Sequence, residues 1–367
     1  MIPVANPLAF YQKHRAEMDS AWQRVMNSGR YILGPEVEAF EAEFAAYLGV
    51  RFAVGVASGT EAVWLALRAA GIKDGDEVIM PSLTASASVA AVVEAGARPV
   101  FAEVDEATLN LDPAKIAPLV TPRTRALLAV HLYGNPANVT ALLSFTRQRR
   151  LNLIEDCAQA HGALHAGRRV GTFGAAAAWS FYPTKNVGAF GDGGMVTTNE
   201  AAVCEQLRLL REYGWRERYH SAEHGWNSRL DELQAALLRV RLRHLEADNA
   251  RRREIARTYR AALSARISGP LALAGDTGVE HLFVMRHAQR DRLRRLLQER
   301  GVGTSVQYPV PCHLQQAYQP FGRGPGSLPL TERAAAEVFS LPMFPELSNA
   351  DAGHVIEGVL QALASLE

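Results

Sequence analysis

Short apolar runs and amphipathic stretches alternate along the chain between about residues 50 and 200. Five apolar runs are predicted strands: residues 51–56, 78–81, 98–102, 126–133 and 151–156. Periodic apolar positions between these runs predict helices at residues 60–70, 85–96 and 139–149. Strands that alternate with helices of this length are typical of a parallel, doubly wound sheet. Such sheets bind ligands at the carboxyl ends of their strands, so we expect functional residues directly after the strands.

The pattern changes after residue 230. A long helical stretch at residues 231–263 is followed by turn residues, a predicted strand at 282–286 and helices at 291–300 and 349–366. This mixture predicts a smaller α+β domain at the C-terminal end. We therefore expect an α/β protein with a large domain at residues 1–245, including the N-terminal segment, and a small domain at residues 246–367.

Composition and charge exclude several classes of protein. The 367 residues are 48% hydrophobic, and 39 basic side chains against 38 acidic ones leave a formal charge of +1. This balance gives no electrostatic signal for nucleic acid or an anionic membrane, and no run approaches the ~18 apolar residues of a membrane span. We therefore expect neither partner, and without a visible secretory signal we expect a cytoplasmic location.

The cysteines give no sign of a disulfide framework or a metal site. Cys157, Cys204 and Cys312 are too few and too scattered for either. We expect buried or idle thiols and no metal.

Lys185 is the leading candidate for chemistry. It is one of only four lysines among 39 basic residues, and it lies in the segment SFYPTKN at residues 180–186. A lysine amine, unlike an arginine, can lose its proton near neutral pH and form an imine. Apolar surroundings and a cationic neighbour would lower its pKa, and the glycines at 188–194 would admit a planar ligand. The alternative is a lysine that reaches into solvent from a loop.

Other candidate residues follow predicted strands. The segment SGT at residues 58–60 suits a phosphate at a helix start, although Ser and Thr are also ordinary N-caps. Asp156 ends a predicted strand, where it would either meet a ligand or cap the following turn. His161 is predicted to be a structural histidine with satisfied hydrogen bonds.

Four segments together resemble one family. They are SGT at 58–60, EDCAQAHG at 155–162, SFYPTKN at 180–186 and NSRLDELQAA at 227–236. In their order and spacing the chain resembles the pyridoxal-phosphate-dependent sugar aminotransferases of the DegT/DnrJ/EryC1/StrS family, over nearly its whole length. The resemblance implies a fold type I aminotransferase fold. It also implies pyridoxal 5'-phosphate (PLP) as cofactor, with pyridoxamine 5'-phosphate (PMP) as its aminated form.

The resemblance also implies roles for individual residues. Lys185 would hold the cofactor as an internal Schiff base and shuttle the proton, and Asp156 would pair with the pyridine nitrogen. Gln159 would lie near the phenolic oxygen. The phosphate would be held by Gly59, Thr60 and Ser180. Asn227 would reach the phosphate in the neighbouring subunit, which implies a homodimer with two shared active sites.

On the substrate side, the resemblance suggests Arg229, Tyr308 and His313 as contacts, although His313 equally fits a structural role. At position 85, where relatives carry an aromatic residue that stacks on the cofactor ring, this chain has alanine. A lost stack would weaken cofactor retention or make room for substrate.

The implied reaction is transamination. Glutamate would be the amino donor, and the acceptor would be a nucleotide-linked keto-deoxysugar, with a dTDP-linked 3-keto-6-deoxyhexose the best match. Two alternatives stay open. One is a sugar dehydratase on the same scaffold, which Lys185 argues against because such relatives carry histidine there. The other is a non-catalytic PLP-binding regulatory protein. A degraded site would favour it, and only Ala85 departs from the pattern of an intact site. The sequence does not choose between amination at C3 and at C4.

Overall fold

The computed structural model describes residues 1–366, which form eleven α-helices and thirteen β-strands. The helices are α1 Pro7–Lys13, α2 Arg15–Ser28, α3 Pro35–Leu48, α4 Gly59–Ala69, α5 Ser86–Glu94, α6 Val139–Arg149, α7 Ala201–Leu210, α8 Glu232–Leu263, α9 Arg290–Glu299, α10 Pro329–Glu337 and α11 Asn349–Ala364. The strands are β1 Phe52–Val56, β2 Glu77–Pro81, β3 Arg98–Ala102, β4 Thr124–Val130, β5 Asn152–Asp156, β6 Leu164–His165, β7 Arg168–Arg169, β8 Ala176–Ser180, β9 Gly194–Thr198, β10 Trp215–Glu217, β11 His220–Ser221, β12 Phe283–Arg286 and β13 Val338–Leu341. Every element predicted from the sequence is present, with ends displaced by three residues at most.

Seven strands form the main sheet, in the order β1-β9-β8-β5-β4-β2-β3. β9 runs antiparallel to both of its neighbours, and every other pair in this sheet is parallel. Parallel neighbours need long crossover connections, which helices supply here. The predicted α/β fold with a mostly parallel, doubly wound sheet is therefore confirmed.

β8 and β9 were not predicted, and β8 shows why. Ala176 and Ala178 pack in the apolar core that includes α4, whereas Ala177 and Trp179 pack on the opposite face in the core that includes α3 and α8. Successive side chains of a strand alternate between faces, and here both faces are buried. The strand therefore lacks the polar–apolar alternation of a half-buried strand, and alanine has little intrinsic preference for strands.

The C-terminal part contains a second, two-stranded sheet. β12 pairs antiparallel with β13, and both contribute to one apolar core with the C-terminal half of α8, α9 and α11. This arrangement has the predicted α+β character. The first residues of the chain also lie here, because Ile2 forms a β-bridge with Val302. The domain division at residues 245/246 stays a prediction; it would fall inside α8, a continuous helix of 32 residues.

Two further expectations concern cysteines and membranes. All three cysteines, Cys157, Cys204 and Cys312, are buried and unpaired, as their spacing indicated. Within residues 1–366, no helix combines the length and the apolar character that a membrane span requires.

A buried carboxylate joins the start of α8 to the start of α3. Glu232 accepts the backbone N–H groups of Gly34 and Val37, each at 2.8 Å, and that of Glu36 at 3.0 Å. First-turn amides of a helix have no partner within the helix, and a negative charge beside them is favourable. Glu232 therefore satisfies buried donors and fixes the two helices against each other.

Replacing Glu232 by Ala should lower the free energy of unfolding by roughly 2–4 kcal/mol, because three buried N–H groups lose their acceptor. Urea denaturation followed by circular dichroism measures the change. Glu38→Ala is the matched control, since Glu38 is exposed on the same helix, and it should cost less than about 1 kcal/mol. Equal losses in both variants would contradict a stabilising role for the buried contact.

Candidate active site

The carboxyl ends of five parallel strands meet at one cavity. It encloses about 350 Å³ and lies where β1, β2, β4, β5 and β8 end. Seven of the ten sequence-predicted site residues line it: Gly59, Thr60, Asp156, Gln159, Ser180, Lys185 and Tyr308. The placement agrees with the rule that open α/β sheets bind ligands at this edge.

Asp156 is buried at the end of β5, and both of its carboxylate oxygens are hydrogen-bonded. The Ser88 hydroxyl donates to Oδ2 at 2.7 Å, and the backbone N–H of Ala158 donates to Oδ1 at 3.1 Å. The Ser88 hydroxyl also lies 3.1 Å from Oγ1 of Thr84. These neutral donors fix the orientation of the carboxylate, and its remaining lone pairs are available to an N–H group of a ligand.

Gln159 is held from both ends of its side-chain amide. Its Oε1 accepts the backbone N–H of Tyr133 at 2.6 Å, and its Nε2 donates to the Tyr308 hydroxyl at 3.2 Å. Burial raises the pKa of Tyr308, and the charge of Asp156 raises it further. The hydroxyl therefore keeps its proton at neutral pH and can donate one hydrogen bond.

The N-terminus of α4 forms one wall of the cavity. Ser58 is the N-cap of this helix, and its hydroxyl accepts the N–H of Glu61 at 3.2 Å. A Cβ added to Gly59 would lie 2.4 Å from Cβ of Ser180, so only glycine allows the helix to approach β8 this closely. The first-turn amides that follow the cap lack helical acceptors, which suits a phosphate.

Lys185 lies in the loop that follows β8. Within the described part of the chain, its amine makes no hydrogen bond or ion pair with another side chain. Burial lowers the pKa of this amine to about 8, and the charge of Asp156 opposes the shift. The expected lowering of the Lys185 pKa is confirmed. The expected cationic neighbour is wrong, because the charge that acts on Lys185 is the carboxylate of Asp156.

Asn227 and Arg229 do not line this cavity. Asn227 is exposed and borders a separate hollow with residues 221–226. The Arg229 guanidinium lies 3.5 Å from the Glu212 carboxylate and over the ring of Tyr213. Neither side chain reaches the Lys185 cavity of its own chain.

Two histidines discussed from the sequence, the candidate substrate contact His313 and the structural His161, lie outside the cavity. His313 is buried, with Nδ1 2.7 Å from Oγ of Ser82 and Nε2 3.2 Å from Oε1 of Glu332. These contacts favour the structural role for His313. His161 is buried, as expected of a structural histidine, and does not line the cavity. Its ring packs against Trp179, with centroids 5.3 Å apart.

Three residues that either line the site or hold a residue that does were not among the predicted site residues: Ser88, Tyr133 and His281. Ser88 lies shortly after β2, so the carboxyl-end rule could have found it. The same rule could have found Tyr133, the last residue of the predicted strand at 126–133, whereas His281 gave no such signal. His281 precedes β12, and only tertiary packing brings this part of the chain to the sheet edge.

The residues present fit pyridoxal phosphate. An amine with a pKa of about 8 shares a cavity with a buried carboxylate, and a helix N-terminus with Ser and Thr side chains closes one end. Imine formation, pairing with a pyridine nitrogen and phosphate binding require these three features. The fold and the site together define a PLP-dependent aminotransferase.

The chain belongs to the DegT/DnrJ/EryC1/StrS aminotransferase family, whose sequence profile matches residues 12–360. The dTDP-3-amino-3,4,6-trideoxy-alpha-D-glucose transaminase of Streptomyces venezuelae is 49% identical over 360 residues, which cover 98% of this chain and 95% of that protein. The crystal structure of DesV from S. venezuelae superimposes with a TM-score of 0.97 at 49% identity, covering 99% of this chain and 98% of that one. The crystal structure of NtdA from Bacillus subtilis with bound cofactor PMP has a TM-score of 0.90 at 30% identity, covering 96% of this chain and 82% of that one. The predicted family, enzyme class and cofactor are confirmed.

Replacing Ala85 by Phe should tighten PLP binding by roughly 2- to 10-fold, because a stacked ring adds about 0.5–1.5 kcal/mol beyond its buried area. Ala85 lines the cavity, so a ring at this position would enter it. Titration of ligand-free protein with PLP gives the dissociation constant. Ala85→Leu adds apolar volume without an aromatic face; an equal gain with Leu, or weaker binding with Phe, would contradict stacking.

Proposed function

We propose that this protein transfers an amino group from glutamate to the keto group of a nucleotide-linked deoxysugar, with a dTDP-linked 3-keto-6-deoxyhexose as acceptor. The observation that carries the proposal is the Lys185 amine in one cavity with the Asp156 carboxylate. The substrate class is supported by the relative that is 49% identical and is named as a transaminase of a dTDP-linked amino sugar.

The bound cofactor would supply a carbonyl that takes up an amino group and a ring that withdraws electrons. Lys185 would hold and move the proton at its Nζ, because an amine with a pKa of about 8 exists in both protonation states near neutral pH. Asp156, oriented by Ser88 and the backbone of Ala158, would accept the N–H of the pyridine ring.

The other cavity residues would position the ligand. Gly59, Thr60 and Ser180 would donate hydrogen bonds to the phosphate at the start of α4. Gln159 would lie beside the ring's phenolic oxygen, with its amide already directed by Tyr133.

Tyr308 would contact the substrate, since its protonated hydroxyl lines the cavity and is oriented by Gln159. Arg229 could contact a sugar nucleotide only in a site other than its own chain's cavity. We do not propose His313 as a substrate contact, because both of its ring nitrogens lie within hydrogen-bond distance of other side chains, those of Ser82 and Glu332.

We also propose a homodimer in which Asn227 of each subunit completes the site of the other. Asn227 is exposed and does not line its own cavity, which agrees with a role in a neighbouring subunit. Apolar side chains that a soluble monomer would leave in water include Trp22, Met26, Tyr31 and Ile32, each about half exposed. A cytoplasmic location stays a prediction.

The two alternatives predict different products. A dehydratase would release a dehydrated sugar and would consume no amino donor. A regulatory protein would bind PLP and show no conversion with any amino acid. The intact set of Lys185, Asp156 and Gln159 in one cavity supports the transaminase.

Addition of glutamate to the PLP-loaded protein should convert the bound cofactor to PMP and release 2-oxoglutarate. Replacing Lys185 by Ala should slow this half-reaction by roughly 10²- to 10⁴-fold or more, because the group that moves the proton is gone. Absorbance spectroscopy and product assay measure both. Lys115→Ala is the control, since Lys115 is exposed outside the cavity. No conversion by the unaltered protein with any amino acid would overturn the proposal.

Mixing inactive Lys185→Ala subunits with impaired Asn227→Ala subunits should restore at least about a quarter of the unaltered activity, because half of the randomly formed dimers carry one intact shared site. The measurement is specific activity after dissociation and reassociation of an equimolar mixture. A mixture that stays inactive would argue against sites completed across the dimer.

A further inference from the structure

A chain of hydrogen bonds runs from the backbone to the ring of His281. Asn249 donates through Nδ2 to the carbonyl of His161 at 2.8 Å, so its Oδ1 is left as an acceptor. Asn186 donates through Nδ2 to that Oδ1 at 2.8 Å and to the carbonyl of Val279 at 3.2 Å. Two acceptors thus orient the Asn186 amide, and its own Oδ1 must accept.

The remaining partner of Asn186 is His281, whose Nδ1 lies 3.1 Å from Oδ1 of Asn186. Because that oxygen can only accept, Nδ1 must carry the proton. In a neutral imidazole the other nitrogen, Nε2, is then an acceptor without a proton. Within residues 1–366, Nε2 of His281 has no hydrogen-bond partner, and the residue lines the cavity that contains Lys185.

The surroundings keep this ring neutral. Burial holds the pKa of His281 well below its ordinary value, and the charges of Lys185 and Arg252 and the nearby His161 act in the same direction. Arg252 donates to the carbonyls of Glu280 and His281 and so lies on the same stretch of chain. Among residues 1–366, no carboxylate contributes an opposing effect on His281. The ring should therefore not titrate at neutral pH.

We propose that Asn186 holds His281 in the Nδ1-protonated tautomer, and that Nε2 of His281 accepts a hydrogen bond from an O–H or N–H group of the bound substrate beside Lys185. His281 is then a substrate contact that selects hydrogen-bond donors and offers nothing to a carbonyl or carboxylate oxygen. Asn186 is a positioning residue that acts through His281. The identity of the donor as substrate rests on the proposed function, whereas the tautomer does not.

The tautomer can be tested in ligand-free protein. Long-range ¹H–¹⁵N correlation spectra of ¹⁵N-histidine-labelled protein, with the His281 signals identified by their loss in His281→Gln, should show protonated Nδ1 and unprotonated Nε2 between pH 6 and 8.5. In Asn186→Leu the Nδ1 proton loses its acceptor, and the signals should shift toward the Nε2-protonated form. A protonated Nε2, or a titrating imidazolium, in the unaltered protein would overturn the inference whatever the enzyme's activity.

The substrate contact is tested by comparing His281→Leu with His281→Gln. Leucine cannot accept a hydrogen bond, so kcat/KM should fall roughly 5- to 10-fold, the usual effect of losing one such bond, while the PLP dissociation constant stays unchanged. Glutamine has both a donor and an acceptor, and it should restore most of the loss. Measuring the half-reactions with glutamate and with keto-sugar separately shows which substrate carries the donor.

Equal losses in His281→Leu and His281→Gln, or weaker PLP binding in both, would assign His281 a merely structural role and overturn the contact. His354→Leu is the control for the substitution itself, since His354 is exposed on α11, and it should leave kcat/KM unchanged. If the unaltered protein shows no transamination, the proposed function fails, and the tautomer is still decided by the spectra.

Discussion

The parallel pairing of β5 with β8 is the constraint on which the site depends. Asp156 pairs in register with Ala178 of β8, so the carboxyl ends of both strands reach the same edge of the sheet. β5 ends with Asp156, and the loop that leaves β8 carries Lys185. A carboxylate and an amine far apart in sequence therefore share one cavity because two strands run in the same direction.

The residue before Asp156 holds this edge in place. Glu155 is fully buried and accepts the backbone N–H groups of Gly171, Phe173 and Gly174, each at 2.8 Å, and it also contacts Nε2 of His131. Burial alone would raise the pKa of Glu155, but His131 and the backbone donors outweigh it and lower the pKa. Neighbouring residues of a strand point to opposite faces of the sheet. Glu155 therefore binds the loop before β8, whereas Asp156 faces the cavity.

Burial sets the protonation states inside the cavity. It lowers the pKa of Lys185 to about 8, raises that of Tyr308, and keeps His281 neutral. The site thus combines one amine that can exchange its proton near neutral pH with a phenol and an imidazole that do not change charge there. Such a combination suits a reaction in which one group moves protons and its neighbours only orient the ligand.

The sequence by itself determined the fold class, the predicted strands and helices between residues 51 and 156, and the motifs around Lys185 and Asp156. These features are local: they depend on periodicity, on strand ends and on short segments that can be read without knowing the neighbours. It did not determine β8 or β9, since alanines in a strand buried on both faces give no alternation.

Only the tertiary structure decided which residues meet. It placed His281, which precedes β12, in the same cavity as Lys185. It also left Asn227 and Arg229 outside the cavity of their own chain. His313 lies instead within hydrogen-bond distance of Ser82 and Glu332. Contacts of this kind depend on packing between elements distant in sequence, and the tautomer of His281 depends on four residues from separate segments. No local pattern encodes such an arrangement, because each hydrogen bond exists only when the whole core has formed.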